Sequence, residues 1–159
     1  KAREALRLKF DQENAVGVLQ EMLLDSLEVD LHGLEVAGDT LRIEAGGATI
    51  SNGILSLATG CHVEAEGVVL QRMVIRSETG AVVITSNGSS ELPSCELSNC
   101  YITSEKQNGV QAKGSAVLVR MKACTVARCS MTGVVAKDGA CVELDGCCIK
   151  KSRVLDGLC

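Results

Sequence analysis

Apolar residues recur along this chain in a fixed frame of gaps. Val119-x-Met121-x-x-Cys124-x-Val126 is repeated as Val142-x-Leu144-x-x-Cys147-x-Ile149. Upstream it recurs as Cys95-x-Leu97-x-x-Cys100-x-Ile102 and as Val68-x-Leu70-x-x-Met73-x-Ile75. Leu41-x-Ile43, followed by Ala48-x-Ile50, reads as a looser copy with a longer gap. On this reading the frames open at positions 41, 68, 95, 119 and 142, in steps of 27, 27, 24 and 23 residues. A second marker keeps time with the first. Gly109-Val110-x-Ala112-Lys113 matches Gly133-Val134-x-Ala136-Lys137, Gly157-Leu158 opens a third copy, and Gly80 to Ile84 holds the equivalent place one unit earlier.

Period-two alternation within each piece predicts a short strand with one face inward. The two-residue gap predicts a tight corner. Its second residue is Asn99 in one unit and Gly146 in another, both tolerant of left-handed backbone; Arg72 and Ala123 fill the same place and fit it less well. Strands this short hold only when stacked, about 4.8 Å apart, into continuous parallel sheets. The expected architecture is all-β: a right-handed, single-stranded parallel β-helix of about five to six coils. Three inward ladders follow: Val68, Cys95, Val119, Val142; Leu70, Leu97, Met121, Leu144; and Met73, Cys100, Cys124, Cys147. A leucine-rich repeat shares the period, but no unit carries its Leu-x-x-Leu-x-Leu spacing.

Residues 1–26 follow another rhythm. Ala5, Leu8, Val16, Leu19, Leu23 and Leu24 sit near helical spacing, which predicts one amphipathic helix or two short ones broken near Asn14 or Gly17. This segment is expected to cap the raw strand edge of the first coil. Leu27 to Leu31 alternates strictly and should be the first strand, so the β-helix is expected over 27–159, continuing beyond Cys159 or docking there.

Composition narrows the core. Phe10 and Tyr101 are the only aromatic residues among 159, so the interior is filled by aliphatic residues, Met, Ala and Cys. Net charge is −4 with no basic stripe, which argues against nucleic acid as a partner. No apolar run reaches ~18 residues, and no membrane span is expected. Nine cysteines, an odd number in a domain with a real core, read as reduced thiols used as small hydrophobes in an intracellular, cytoplasmic protein. A place in a ciliary or cytoskeletal assembly is the alternative.

The run Gly-Val-x-Ala-x-Asp-Gly-Ala-x-Val-x-Leu-x-x-Cys-x-Ile, clearest in Gly133 to Ile149, resembles the parallel β-helix repeat of the pectin-lyase-like superfamily. The resemblance covers roughly 41–159. Its Cys-x-Ile ladder and aromatic-poor core are closer to the non-enzymatic, intracellular interaction-type members, such as the β-helix regions of F-box substrate adaptors and SHC-binding proteins. In such members the resemblance implies a protein-binding surface.

No constellation for chemistry stands out. Arg42, Val69, Glu96, Arg120 and Glu143 are read as one outward row. Its alternating signs suggest a charge ladder between coils rather than a catalytic carboxylate pair. Asp138-Gly139 and Asp145-Gly146 are turn chemistry. Cys124, Cys129, Cys147 and Cys148 invite a metal, but a single-file ladder does not converge on one. Cys129 and Cys148 are expected outward or in turns, as the more reactive thiols. His32 and His62 stand far apart, so no Ser-His-Asp or Cys-His group can be assembled. Gly46-Gly47 lacks the Lys-Ser/Thr of a phosphate loop. Lys113 and Lys137 stack, and Arg76, Arg128, Lys150 and Lys151 follow the second strand, together forming a modest basic side.

The expectation is a non-enzymatic scaffold with no cofactor and no metal, binding protein through a face that draws on Arg42, Glu96, Arg120, Glu143, Lys113, Lys137 and Lys150. A carbohydrate-binding or polysaccharide-degrading β-helix, and a structural segment of a large ciliary or organellar complex, are the alternatives.

Overall fold

The computed structural model describes residues 1–12, 14–86, 92–150 and 153–154. Among these residues two helices, α1 (Ala2–Gln12) and α2 (Ala15–Asp25), precede fourteen strands, all paired in parallel. The strands form a β-solenoid of about five turns with three faces.

The first face stacks β1 (Glu28–Asp30), the start of β3 (Thr49–Val63), the start of β4 (Val68–Ser77), β6 (Ser94–Ser98), β9 (Leu118–Lys122) and β12 (Cys141–Asp145). The second stacks the first half of β2 (Glu35–Ile43), the middle of β3, the end of β4, β7 (Tyr101–Ser104), β10 (Thr125–Ala127) and β13 (Cys148–Lys150). The third stacks the end of β2, the end of β3, β5 (Val82–Thr85), β8 (Val110–Lys113), β11 (Thr132–Lys137) and β14 (Arg153–Val154).

The expected ladder is present. Val68 pairs with Cys95, Cys95 with Val119 and Val119 with Val142, and all four side chains are buried. Leu70, Leu97 and Met121 form the next inward row with no exposed surface. Each fully buried Leu or Ile contributes about 1.5–3 kcal/mol of burial.

One sequence expectation is corrected. Leu41-x-Ile43 is not the early copy of the frame. Leu41 pairs with Cys61 and Ile43 with Val63, on the third face. The true copy is Ala48-x-Ile50-x-x-Gly53-x-Leu55, whose Ile50, Gly53 and Leu55 pair with Leu70, Met73 and Ile75. Frames therefore open at 48, 68, 95, 119 and 142. Gly53 hid this copy because it stands where later coils place Met or Cys. Its lost bulk is supplied from the coil below: a Cβ on Gly53 would meet Leu31 Cβ and Cδ1 at 2.5 Å.

The corner between the first and second faces is one residue wide and left-handed in every full coil. Asn52, Arg72, Asn99, Ala123 and Gly146 have φ of 56°, 52°, 53°, 51° and 62°. Hydrogen bonds stack this column, with Asn99 N–H donating to Lys122 O and Ala123 N–H to Asp145 O, each at 2.9 Å. A left-handed L-residue costs about 1–2 kcal/mol, and glycine's greater chain entropy offsets part of that gain. Ala123→Gly is thus expected to stabilise the fold by about 0.5–1 kcal/mol, a rise of a few degrees in Tm by calorimetry. A fall in Tm would refute the strain at this corner.

The helices close the first coil. Asn14 caps α2, its side chain accepting from Gly17 N–H. Val16, Leu19 and Leu23 are buried, and Val16 occupies the space above Gly38 of β2. Polar side chains meet the exposed ladder groups: Arg42 N–H donates to Gln20 Oε1 at 3.2 Å, and Arg3 Nε donates to His32 O at 3.1 Å. The open edge is satisfied by side chains rather than by another strand, as edge management requires.

Candidate functional site

The outward charges on the first face are mutually committed. Glu96 pairs in register with Arg120, and Arg120 with Glu143. Arg120 Nε lies 3.0 Å from Glu143 Oε2, and Lys122 Nζ lies 3.7 Å from Glu96 Oε1. These groups are about half exposed, so each pair contributes at most about 1 kcal/mol. Each carboxylate has a cation beside it, which is a surface ladder rather than an acid and base converging on one bond.

Of the outward row that was expected to hold Arg42, Glu96, Arg120 and Glu143 together, Arg42 lies elsewhere, while the lysines sit on the strands where they were expected. Arg42 is on the third face, paired in register with His62 and 2.8 Å from Glu64. Lys113 and Lys137 are adjacent on the third face, with Lys113 4.0 Å from Asp138. Lys150 ends the second face, beside Ala127. The seven residues are thus distributed over three faces and do not compose one surface. His32 sits in a left-handed turn 3.8 Å from Asp30, and His62 Nε2 shares a hydrogen bond with Thr59 O at 2.9 Å. The His32 N–H holds the Asp30 carboxyl below its ordinary value.

The cysteine column closes the corners. Cys100, Cys124 and Cys147 donate from Sγ to Leu70 O, Leu97 O and Met121 O of the preceding coil, at 3.3, 3.2 and 3.3 Å. Cys129 lies in the bend between β10 and β11, one of the two placements expected of it, but is buried there rather than exposed. Cys148 is exposed as expected. Cys141 is disulfide-bonded, so the chain is not wholly reduced. It opens β12 half-buried, outside the inward ladder. No group of three or more metal-ligating side chains occurs among the described residues.

Burial pushes the Cys61 thiol up to about 12 and raises Cys95 well above its ordinary value. Such thiols are neutral in the fold and ionise freely once unfolded. Their contribution is complete below the unfolded pKa near 9 and is lost as pH rises toward 12. Each buried thiol is expected to cost roughly 1.4 kcal/mol of stability at pH 10. Urea unfolding at pH 7 and pH 10 checks this, and Cys61→Ala should flatten the dependence.

One surface depression lies on the second face. A groove runs along the solenoid axis, crossing strands of successive coils. Its floor is small: Ala37, Gly38, Ser56, Ala58 and Thr103. Charged posts rise from it, Arg76 and Glu78 from one coil, Glu105 from the next and Arg128 from the one after. Beside it the outward column Ile54, Val74, Tyr101, Thr125, Cys148 is in register. Tyr101 is 38% exposed, while Phe10 belongs to α1 and is buried. The only aromatic ring of the solenoid therefore faces outward, beside the groove. Its neutral floor gave no sequence signal; the isolated Tyr101 was the residue that could have revealed it.

Three parallel faces, one-residue left-handed corners and inward ladders are now joined by a family match. Residues 52–155 fit the family described as the right-handed beta helix region. This chain belongs to the right-handed β-helix family. Comparison with curated proteins finds no match, and neither does comparison with solved structures. The family region takes in four of the five left-handed corners from Arg72 onward together with Asn52 at its first residue. The helices lie before it. Neither helix is long and apolar enough to cross a membrane.

Proposed function

We propose that this β-helix is a non-catalytic protein-binding scaffold that docks its partner along the second face, in the manner of the interaction-type members of the pectin-lyase-like superfamily. The carrying observation is the placement of Tyr101. In a chain that otherwise fills its interior with aliphatics and cysteine, the solenoid's single aromatic is spent on the surface. Tyr and Arg are the residues most enriched at binding hot spots, and Arg76 and Arg128 stand in the same depression as Tyr101. A solenoid offers such a groove on a stiff scaffold that needs little reordering on binding. The first-face carboxylates, each held by a cation, support a non-catalytic reading.

The test is affinity capture with quantitative mass spectrometry, using wild type beside Tyr101→Ala and, as control, Arg120→Ala on the first face. Defined proteins retained by wild type and Arg120→Ala but lost by Tyr101→Ala are expected. Specific oligosaccharide binding, or release of reducing ends from a polysaccharide panel, with no protein sensitive to Tyr101, would overturn the reading in favour of a carbohydrate-active protein.

A further inference from the structure

The charges along the groove have an order that specifies a partner. Ser77 pairs with Ser104, and the next residues, Glu78 and Glu105, continue the ladder, with Glu105 N–H donating to Ser77 O and Lys106 N–H to Glu78 O. Two exposed glutamates therefore occupy stacked backbone positions about 4.8 Å apart. Like charges placed directly opposite are unfavourable, yet among the described residues no cation lies within ion-pair distance of either. Arg76, two residues before Glu78 on the same outward side, has no hydrogen-bond or ion-pair partner among the described residues, and neither does Arg128. On the first face, by contrast, Glu96, Arg120, Lys122 and Glu143 are all paired. Arg76, Glu78, Glu105 and Arg128 thus line the depression without an ion-pair partner among the described residues.

Along the axis the order is Arg76 and Glu78 at one level, Glu105 one coil on, and Arg128 two coils on, about 10 Å from Arg76. A polyproline II segment rises 3.1 Å per residue and repeats its side-chain direction every third residue, about 9.3 Å. Two of its side chains three positions apart thus match two coils. The first of the two intervening residues, turned by a third of a circle and about 3.1 Å along, falls between the levels of Glu78 and Glu105.

Resting on the docking face proposed above, we infer that the groove takes an extended, polyproline II segment of a protein partner with the charge order acid–base–x–acid. The two acidic side chains meet Arg76 and Arg128. The basic one relieves the stacked Glu78 and Glu105, and the neighbouring chain packs on Tyr101. Both signs are used, so the order of charges discriminates more than net charge does.

The experiment is selection of a random twelve-residue displayed peptide library on the whole chain. It is followed by fluorescence anisotropy of the enriched peptide and of its charge-reversed form, base–acid–x–base. Wild type is compared with Tyr101→Ala, Arg76→Glu and Glu105→Lys, each checked for native circular dichroism. All three sites are exposed, so the fold should persist. Expected is an acid–base–x–acid consensus whose affinity falls at least about tenfold in Arg76→Glu and in Glu105→Lys. The charge-reversed peptide should gain on the double variant Arg76→Glu/Arg128→Glu. Peptides that depend on Tyr101 but lack this charge order would overturn the inference and leave the docking face standing. Peptides indifferent to all three substitutions, or no enrichment at all, would overturn both.

Discussion

Gly60→Ala is expected to cost at least about 3 kcal/mol, enough to unfold much of the population under mild urea. Two effects act together at this position. The backbone is left-handed, with φ of +86°, and a Cβ there would fall inside the contact radius of the Gly80 carbonyl oxygen of the next coil. That carbonyl belongs to the backbone, at the corner where the second face turns into the third, and it cannot retreat without breaking the stacking in which Cys61 N–H donates to Ala81 O. Gly33→Ala is the matched control. Its φ is +81° but nothing lies within 4 Å, so it carries only the conformational cost of about 1 kcal/mol. Urea midpoints of the two variants decide the matter. Equal losses would show that conformation alone, and not coil-to-coil approach, fixes glycine at position 60.

Gly53→Met is the second large effect, expected to cost about 2–3 kcal/mol by overpacking. It gives the corner the same side chain that Met73 supplies one coil later. Leu31 already occupies that volume and is fully buried. Leu31→Ala alone should cost about 2–5 kcal/mol through the cavity it leaves. The pair should be far less damaging than the sum, with a coupling of at least about 1 kcal/mol in a double-mutant cycle read from chemical denaturation. Additive losses would mean that the two residues do not share one space, and the assignment of Gly53 to the repeating frame would fail with them.

These two glycines also mark where the sequence is legible. From Val68 onward the frame can be read directly, because every inward corner residue is Met or Cys and every gap is constant. The left-handed corner was visible too, through Asn99 and Gly146. One coil earlier the signal broke. Gly53 removed the apolar mark, and Leu41 and Ile43, which alternate just as well, belong to a different face. Alternation shows that a residue points inward but not toward which sheet. The groove was harder still. Its floor of Ser, Ala and Thr has no pattern, and its charges become neighbours only once the coils are stacked. Arg76 and Arg128 were visible as a basic tendency, but the register that sets Glu78 beneath Glu105 is a property of the fold. Cys129 sits in the bend after β10, where the packing of the turn and not the strand frame decides its burial.

The contrast between the corners sets rules for remodelling the molecule. Between the first and second faces the chain bends at one residue in each of five coils, so one added amino acid there would transpose the inside and outside of everything downstream in that coil. Between the second and third faces the spacing already drifts: three residues separate Leu57 from Cys61, four separate Ser77 from Val82, and five separate Ser104 from Val110. Lengthening a flexible loop adds little closure cost. Extra residues spliced at that second bend, clear of the Gly60–Gly80 approach, should leave the coils stacked but cover the groove at Glu78 and Glu105, while the same graft at Asn99 or Ala123 should abolish the fold.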